Sequence, residues 1–175
     1  MCSLTKKAKQ IRLVIFDVDG VLSTGALFYG VNNTEFKSFN VQDGVGMRML
    51  QKAGIPIAII TARESEIVTR RMQDLDVKYV YQKQLDKVIA YEDIKQKLNL
   101  SDKQIAYVGD DLPDLPIMCR VGLAVTVANA PKIMQRYAHW ITKAKGGKGA
   151  AREVCDFILK VQGFYQPLVD SYLKR

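Results

Sequence analysis

Five short apolar runs punctuate the chain: RLVIF (12–16), IPIAII (55–60), VKYVY (77–81), QIAYV (104–108) and GLAVTV (122–127). Each is continuous rather than alternating, which is the pattern of strands covered on both faces. Between them the period lengthens to that of helices. Val45, Met49 and Leu50 recur at helical spacing within 43–53, and Val88, Tyr91, Ile94 and Leu98 do so within 84–98. Val154, Phe157, Ile158 and Val161 mark one face of a further helix that Gly163 is placed to close. Strand and helix alternating in this way predict an α/β fold, a parallel sheet with helices on both faces.

One segment breaks the rhythm. GALFYGVNNTEFKSFNVQDG (25–44) carries two short aromatic pieces around GVNNT and predicts a β-hairpin, a flap over about 25–40. No linker, repeat or low-complexity tract interrupts the chain. Residues 1–175 are expected to form a single domain, with the stretch after Gly163, about 163–175, as a loose tail.

Composition narrows the class. With 175 residues, 48% hydrophobic and 25% charged, the chain has material for one ordinary core. No apolar run approaches the roughly 18 residues needed to cross a bilayer, and MCSLTKKAKQIR lacks the apolar middle of a secretory signal. A cytoplasmic protein with no membrane partner is expected. Three cysteines, Cys2, Cys119 and Cys155, lie far apart without C-x-x-C spacing, which argues against disulfides and a zinc site alike. Twenty-six basic against eighteen acidic side chains give a formal charge of +8. Apart from Lys6, Lys7, Lys9 and Arg12 the positive residues are dispersed, and no nucleic-acid-binding motif accompanies them, so no nucleic acid partner is expected.

The candidate chemistry sits where the first apolar run ends, in DVDG (17–20). Residues i and i+2 of a strand point to one side, so Asp17 and Asp19 can face one cavity. A surface turn with Gly20 at positive φ accounts for these four residues equally well. Other strand ends change that balance: IPIAII delivers Thr61 and Arg63, VKYVY leads to Lys87, and QIAYV delivers Asp110 and Asp111. Open α/β sheets place ligands at these carboxyl ends. Crowded carboxylates raise one another's pKa unless a cation sits among them, and hard oxygen ligands suit Mg²⁺. A site with Mg²⁺, a hydroxyl, an ammonium and a free carboxylate suits a phosphoryl group. Asp17 would be the nucleophile, forming an aspartyl phosphate, and Asp19 the acid that protonates the leaving alkoxide and then activates water.

In order and spacing, DVDGV, TAR, Lys87 and GDDLPD (109–114) resemble the four motifs of the haloacid dehalogenase (HAD) superfamily. The resemblance implies a Rossmann-like fold and Mg²⁺ held by Asp17, the backbone carbonyl of Asp19, and Asp110. It also implies phosphate bound by Thr61 and Lys87, with Asp111 or Asp114 steadying the metal shell or the lysine. Only about 34 residues separate Gly20 from Ile55 and about 22 separate Lys87 from Asp110, too few for a cap domain.

The hairpin, FNVQDGVGMRML, ITARES and GGKGAAREVCDFIL are similar to the capless family of 3-deoxy-D-manno-octulosonate 8-phosphate phosphatases. That similarity implies lipopolysaccharide biosynthesis, a homotetramer whose neighbouring subunits complete each site, and a glycine-rich tail closing over substrate. It offers Asn40, Val41, Gln42, Asp43 and Gly44 to the sugar, and Arg48, Arg63 and Arg71 to its carboxylate or phosphate. Two positions depart from the family: Lys83, where a glycine is expected, and Lys148, where arginine is common. A relative acting on another acidic sugar phosphate, such as an N-acylneuraminate 9-phosphate, stays open. So does a non-catalytic oligomerisation module. A response-regulator receiver uses similar groups, but carries its acceptor aspartate on the third strand, and VKYVY has none before Asp86.

Overall fold

The computed structural model describes residues 3–32 and 34–174, so Cys2 lies outside the described residues. The chain opens with α1 (Ser3–Gln10) and β1 (Leu13–Phe16), whose four side chains are all buried. The hairpin follows as β2 (Phe28–Tyr29) and β3 (Glu35–Phe36), an antiparallel pair separate from the main sheet. Next come α2 (Val41–Lys52), β4 (Ile57–Ile60), α3 (Glu66–Asp74), β5 (Tyr79–Tyr81) and α4 (Lys87–Lys97). The remainder is β6 (Ile105–Gly109), α5 (Leu115–Met118), β7 (Leu123–Thr126), α6 (Lys132–Gln135), β8 (Trp140–Ile141), α7 (Ala150–Gln162) and α8 (Tyr165–Leu173).

All five apolar runs are strands of one parallel sheet, ordered β5-β4-β1-β6-β7-β8. The chain walks from β1 outward through β4 to β5, then returns to the other side of β1 at β6. That reversal opens a crevice beyond the carboxyl ends of β1 and β6. Phe16 is level with Val108, and the Asp17 amide donates to the Val108 carbonyl at 3.0 Å, so both strands run out together. Helices flank the sheet, with α2 packed on α7, α1 on α7, and α4 on α5. Among the described residues the hairpin and α2 are the regular elements between β1 and β4, and no folded cap lies there.

The sheet has a sixth strand, β8, too short to stand out in the sequence; its Trp140 ring lies 4.8 Å from Phe157 of α7. His139 sits just before β8. Its amide donates to the Ala124 carbonyl at 2.8 Å, and its Nδ1 accepts from the Ala124 amide at 2.9 Å. Cys119 and Cys155 are free thiols, exposed and buried respectively.

Two helical expectations need correction. α2 starts at Val41, because the Asn40 side chain accepts from the Gln42 amide at 2.8 Å and caps it. Its inward face uses Asp43, Gly44, Gly46, Met47, Met49 and Leu50, whereas Val45 is exposed. The cause is Gly46: an added Cβ there would meet Arg152 Cδ at 2.8 Å and Cys155 Cβ at 3.1 Å, so the missing side chain sets how closely α7 packs. The second correction concerns the stretch after Gly163, which is helical rather than a loose tail. Gly163 closes α7 at φ 81° as expected, and Pro167 then falls in the first turn of α8, where its missing N–H costs little. Leu168 and Val169 pack against the core.

Candidate active site

Asp17 leaves β1 and Asp110 leaves β6 at the crevice, and oxygens of Asp17, Asp110 and Asp114 lie within 4.8 Å of one another. With Asp19, Thr61, Arg63 and Lys87 they line a cleft of about 180 Å³. Gly20, at φ 99°, lets the two loops approach; a Cβ on it would lie 2.0 Å from Asp110 Oδ2. Positive φ at Gly20 therefore coexists with Asp17 and Asp19 lining one cleft.

Lys87 is buried between two of the carboxylates, donating to Asp17 Oδ1 at 2.8 Å and Asp114 Oδ1 at 2.6 Å. Burial alone would lower its pKa, but the two aspartates outweigh burial and hold it above the usual lysine value. Its position follows from the sequence, since Asp86 caps α4 by accepting from the Val88 amide at 3.0 Å and sets Lys87 in the first turn. One ammonium does not balance three carboxylates. Burial pushes Asp17 up to about 7, with Lys87 opposing and Asp114 adding to the rise. Burial and the charge of Asp17 push Asp110 up to about 8. Such a set fits a divalent cation, which would relieve both.

The three carboxylates differ in what they have left to give. Asp114 Oδ1 accepts from Lys87 and from the Tyr107 hydroxyl at 2.6 Å. Its Oδ2 accepts from the amides of Asp110 at 2.9 Å and Asp111 at 3.2 Å. All four of its acceptor positions are used, so Asp114 orients Lys87 and the Asp110 loop, while Asp17 and Asp110 keep oxygens for a metal. Asp111, expected to share that supporting task, is exposed and instead caps the turn 112–114 by accepting from the Leu112 amide at 2.8 Å.

Around Asp19 the hairpin supplies residues that the sequence reading missed. Lys37, with a fully buried side chain, bonds Asp19 Oδ1 and lies 3.8 Å from Glu35. Glu35 accepts from Arg63 Nη2 at 3.1 Å and from the Ser65 hydroxyl at 3.0 Å. Burial works to raise the Glu35 pKa, but Ser65, Lys37 and Arg63 together leave it below the usual value. Tyr29 also accepts from Arg63, at 3.2 Å. Only the fold of the hairpin onto the sheet edge brings these groups to the cleft, and Tyr107 is reached only through Asp114.

Several expected substrate contacts are engaged elsewhere. Asp43 is buried and accepts from the Arg152 amide at 2.7 Å, supplying α7 with the cap that Gly149 cannot. Arg48 bonds the Asp74 carbonyl and stands 4.0 Å from Asp76 at the far end of α3. Arg71 donates to the Asn40 carbonyl at 3.4 Å and lies over the Phe39 ring, beside Gly44. Val41 and Gln42 are exposed on the first turn of α2, apart from the cleft lining. The segment 146–149 is a loop of the body rather than a tail: the Gly147 amide donates to the Val21 carbonyl at 2.9 Å, and a Cβ on Gly146 would fall 1.6 Å from the Gly20 carbonyl oxygen.

Residues 77–154 match the haloacid dehalogenase-like hydrolase family. The 3-deoxy-D-manno-octulosonate 8-phosphate phosphatase of Escherichia coli K12 is 47% identical over 157 residues, 90% of this chain and 84% of its own. The chain belongs to that phosphatase family. Two solved family members share its fold. The enzyme from Yersinia pestis superposes with a TM-score of 0.93 at 44% identity, covering 94% of this chain and 89% of its own. That from Moraxella catarrhalis, in complex with a magnesium ion, a phosphate ion and KDO, gives 0.95 at 40%, covering 98% and 99%. As a member of this HAD phosphatase family the chain is an enzyme, which sets aside the receiver and the non-catalytic module.

Proposed function

We propose that this chain is a Mg²⁺-dependent phosphatase that hydrolyses 3-deoxy-D-manno-octulosonate 8-phosphate to the free sugar acid and phosphate, in lipopolysaccharide biosynthesis. The observation that carries the chemistry is the meeting of Asp17 and Asp110 oxygens in one open cleft with Lys87 alongside. Its family supplies the substrate. Asp17, Asp110 and the backbone carbonyl of Asp19 would hold the ion, which when bound draws charge from the phosphoryl oxygens. Thr61 and Lys87 would bind the phosphoryl group. Asp17 attacks phosphorus to give an aspartyl phosphate, and Asp19 protonates the leaving alkoxide. Asp19 then takes a proton from the water that hydrolyses the intermediate.

Asn40, Val41, Gln42, Gly44 and Arg71 are proposed to face the sugar acid only in the assembled protein, a cytoplasmic homotetramer. The grouping of the first four at the start of α2, with Arg71 of α3 beside them, supports that reading, and Asp43 and Arg48 are left out of it. A panel of acidic sugar phosphates, assayed for released phosphate with and without Mg²⁺, tests substrate and cofactor together. Fast Mg²⁺-dependent release from the octulosonate ester is expected. Equal rates on short unbranched phosphates would refute the substrate. Asp17→Asn is expected to abolish release while far-ultraviolet circular dichroism stays unchanged, and retained turnover would remove the mechanism.

A further inference from the structure

The two oxygens of the Asp19 carboxylate are not equivalent. Oδ1 is bonded by the Lys37 ammonium and has the Ser23 hydroxyl 3.4 Å away. Oδ2 is buried and has no hydrogen-bond partner among the described residues, and the same holds for the Arg63 Nε that faces it across 3.8 Å. Lys37 comes from the flap, just after β3, and Glu35 lies on its other side. A buried ammonium persists only when paired, and here two carboxylates pair it.

From this geometry we infer that Lys37 is a positioning residue for proton transfer: by holding Oδ1 it fixes the rotation of the carboxyl group that hands its proton to the leaving group. The inference rests on the reading of Asp19 as the general acid. As the bond from phosphorus to Asp17 forms, the ester P–O bond breaks and its electron pair stays with the sugar oxygen. That oxygen takes the proton from the Asp19 carboxyl. Asp19 is left ionised against Lys37, ready to accept a proton from the hydrolytic water.

A lysine that merely tied down the flap would matter equally for every phosphate ester. A lysine that aims the acid matters only where the leaving group needs a proton. The test is the rate of alcohol release in the first turnover, on the Mg²⁺-loaded full chain, with the octulosonate 8-phosphate and with p-nitrophenyl phosphate, whose phenolate leaves unprotonated. Lys37→Met is expected to slow release from the sugar ester by about 10²-fold and release from the aryl ester far less, with Lys37→Arg recovering part of the loss. Asp19→Asn should show the same split, larger. Turnover of the aryl ester by Lys37→Met itself reports a folded site. Equal losses on both esters in Lys37→Met, or none on the sugar ester, overturn the inference while a split in Asp19→Asn keeps the acid in place. Absence of the split in Asp19→Asn removes the acid reading and this inference with it.

Discussion

Lys83 holds a left-handed backbone, φ 58°, at the position where the family resemblance led us to expect glycine. A side chain in that conformation costs about 1–2 kcal/mol, part of which glycine gives back through its greater freedom when unfolded. The Lys83–Glu64 ion pair offsets little, because the side chains are 69% and 58% exposed. Lys83→Gly is therefore expected to stabilise the protein by about 0.5–1 kcal/mol, read as a higher urea midpoint with unchanged slope. At the same scale, Asp17, Thr61, Lys87 and Asp110 were legible because a parallel sheet sends its strand ends to one edge, and each follows an apolar run by a residue or a short loop. Lys37, Glu35 and Tyr107 were not. Nothing local distinguishes an interior tyrosine that holds Asp114 from one that only fills space, nor a hairpin lysine from a solvated one.

Helices were read less well than strands, and α2 shows why. Its packing stripe runs through glycines and a carboxylate, so a search for apolar periodicity picks Val45, which faces outward. Asp43, which the family resemblance offers to the sugar, lies buried on this stripe and caps α7. Asp43→Ala is expected to cost about 1–2 kcal/mol, the range for a lost helix cap, measured by chemical denaturation. The junction of β7 and β8 gives a second prediction. Burial, and the positive charge of Lys7, hold the His139 pKa below its ordinary value, and protonation would also cost Nδ1 its bond from the Ala124 amide. The unfolded chain then takes up this proton first as pH falls. Stability from His139 is complete above about pH 6.5 and declines as pH drops from there through the depressed folded pKa. The melting temperature should fall more steeply between pH 7 and 5 in the natural chain than in His139→Gln.

At the scale of the whole molecule, the flap is the part that does not look finished. Phe28, Tyr29, Val31 and Phe36, on the two strands and their turn, are 54%, 70%, 82% and 62% exposed. A patch of this kind beside a cleft asks for cover, and a proposed homotetramer supplies it from other copies of the chain. Replacing Phe28 with Ser and Val31 with Asp together is expected to shift the sedimenting species to smaller mass while the melting temperature of the core holds. An unchanged mass would mean that the flap is not the contact. Elsewhere two segments distant in sequence are already locked together. Gly146 nests directly on the carbonyl of Gly20 and so forms the back wall of the loop that bears both early aspartates. The order of the nucleophile's loop is thereby tied to a segment far along the sequence, so loosening the stretch around Gly146 would be felt at Asp17 without touching it.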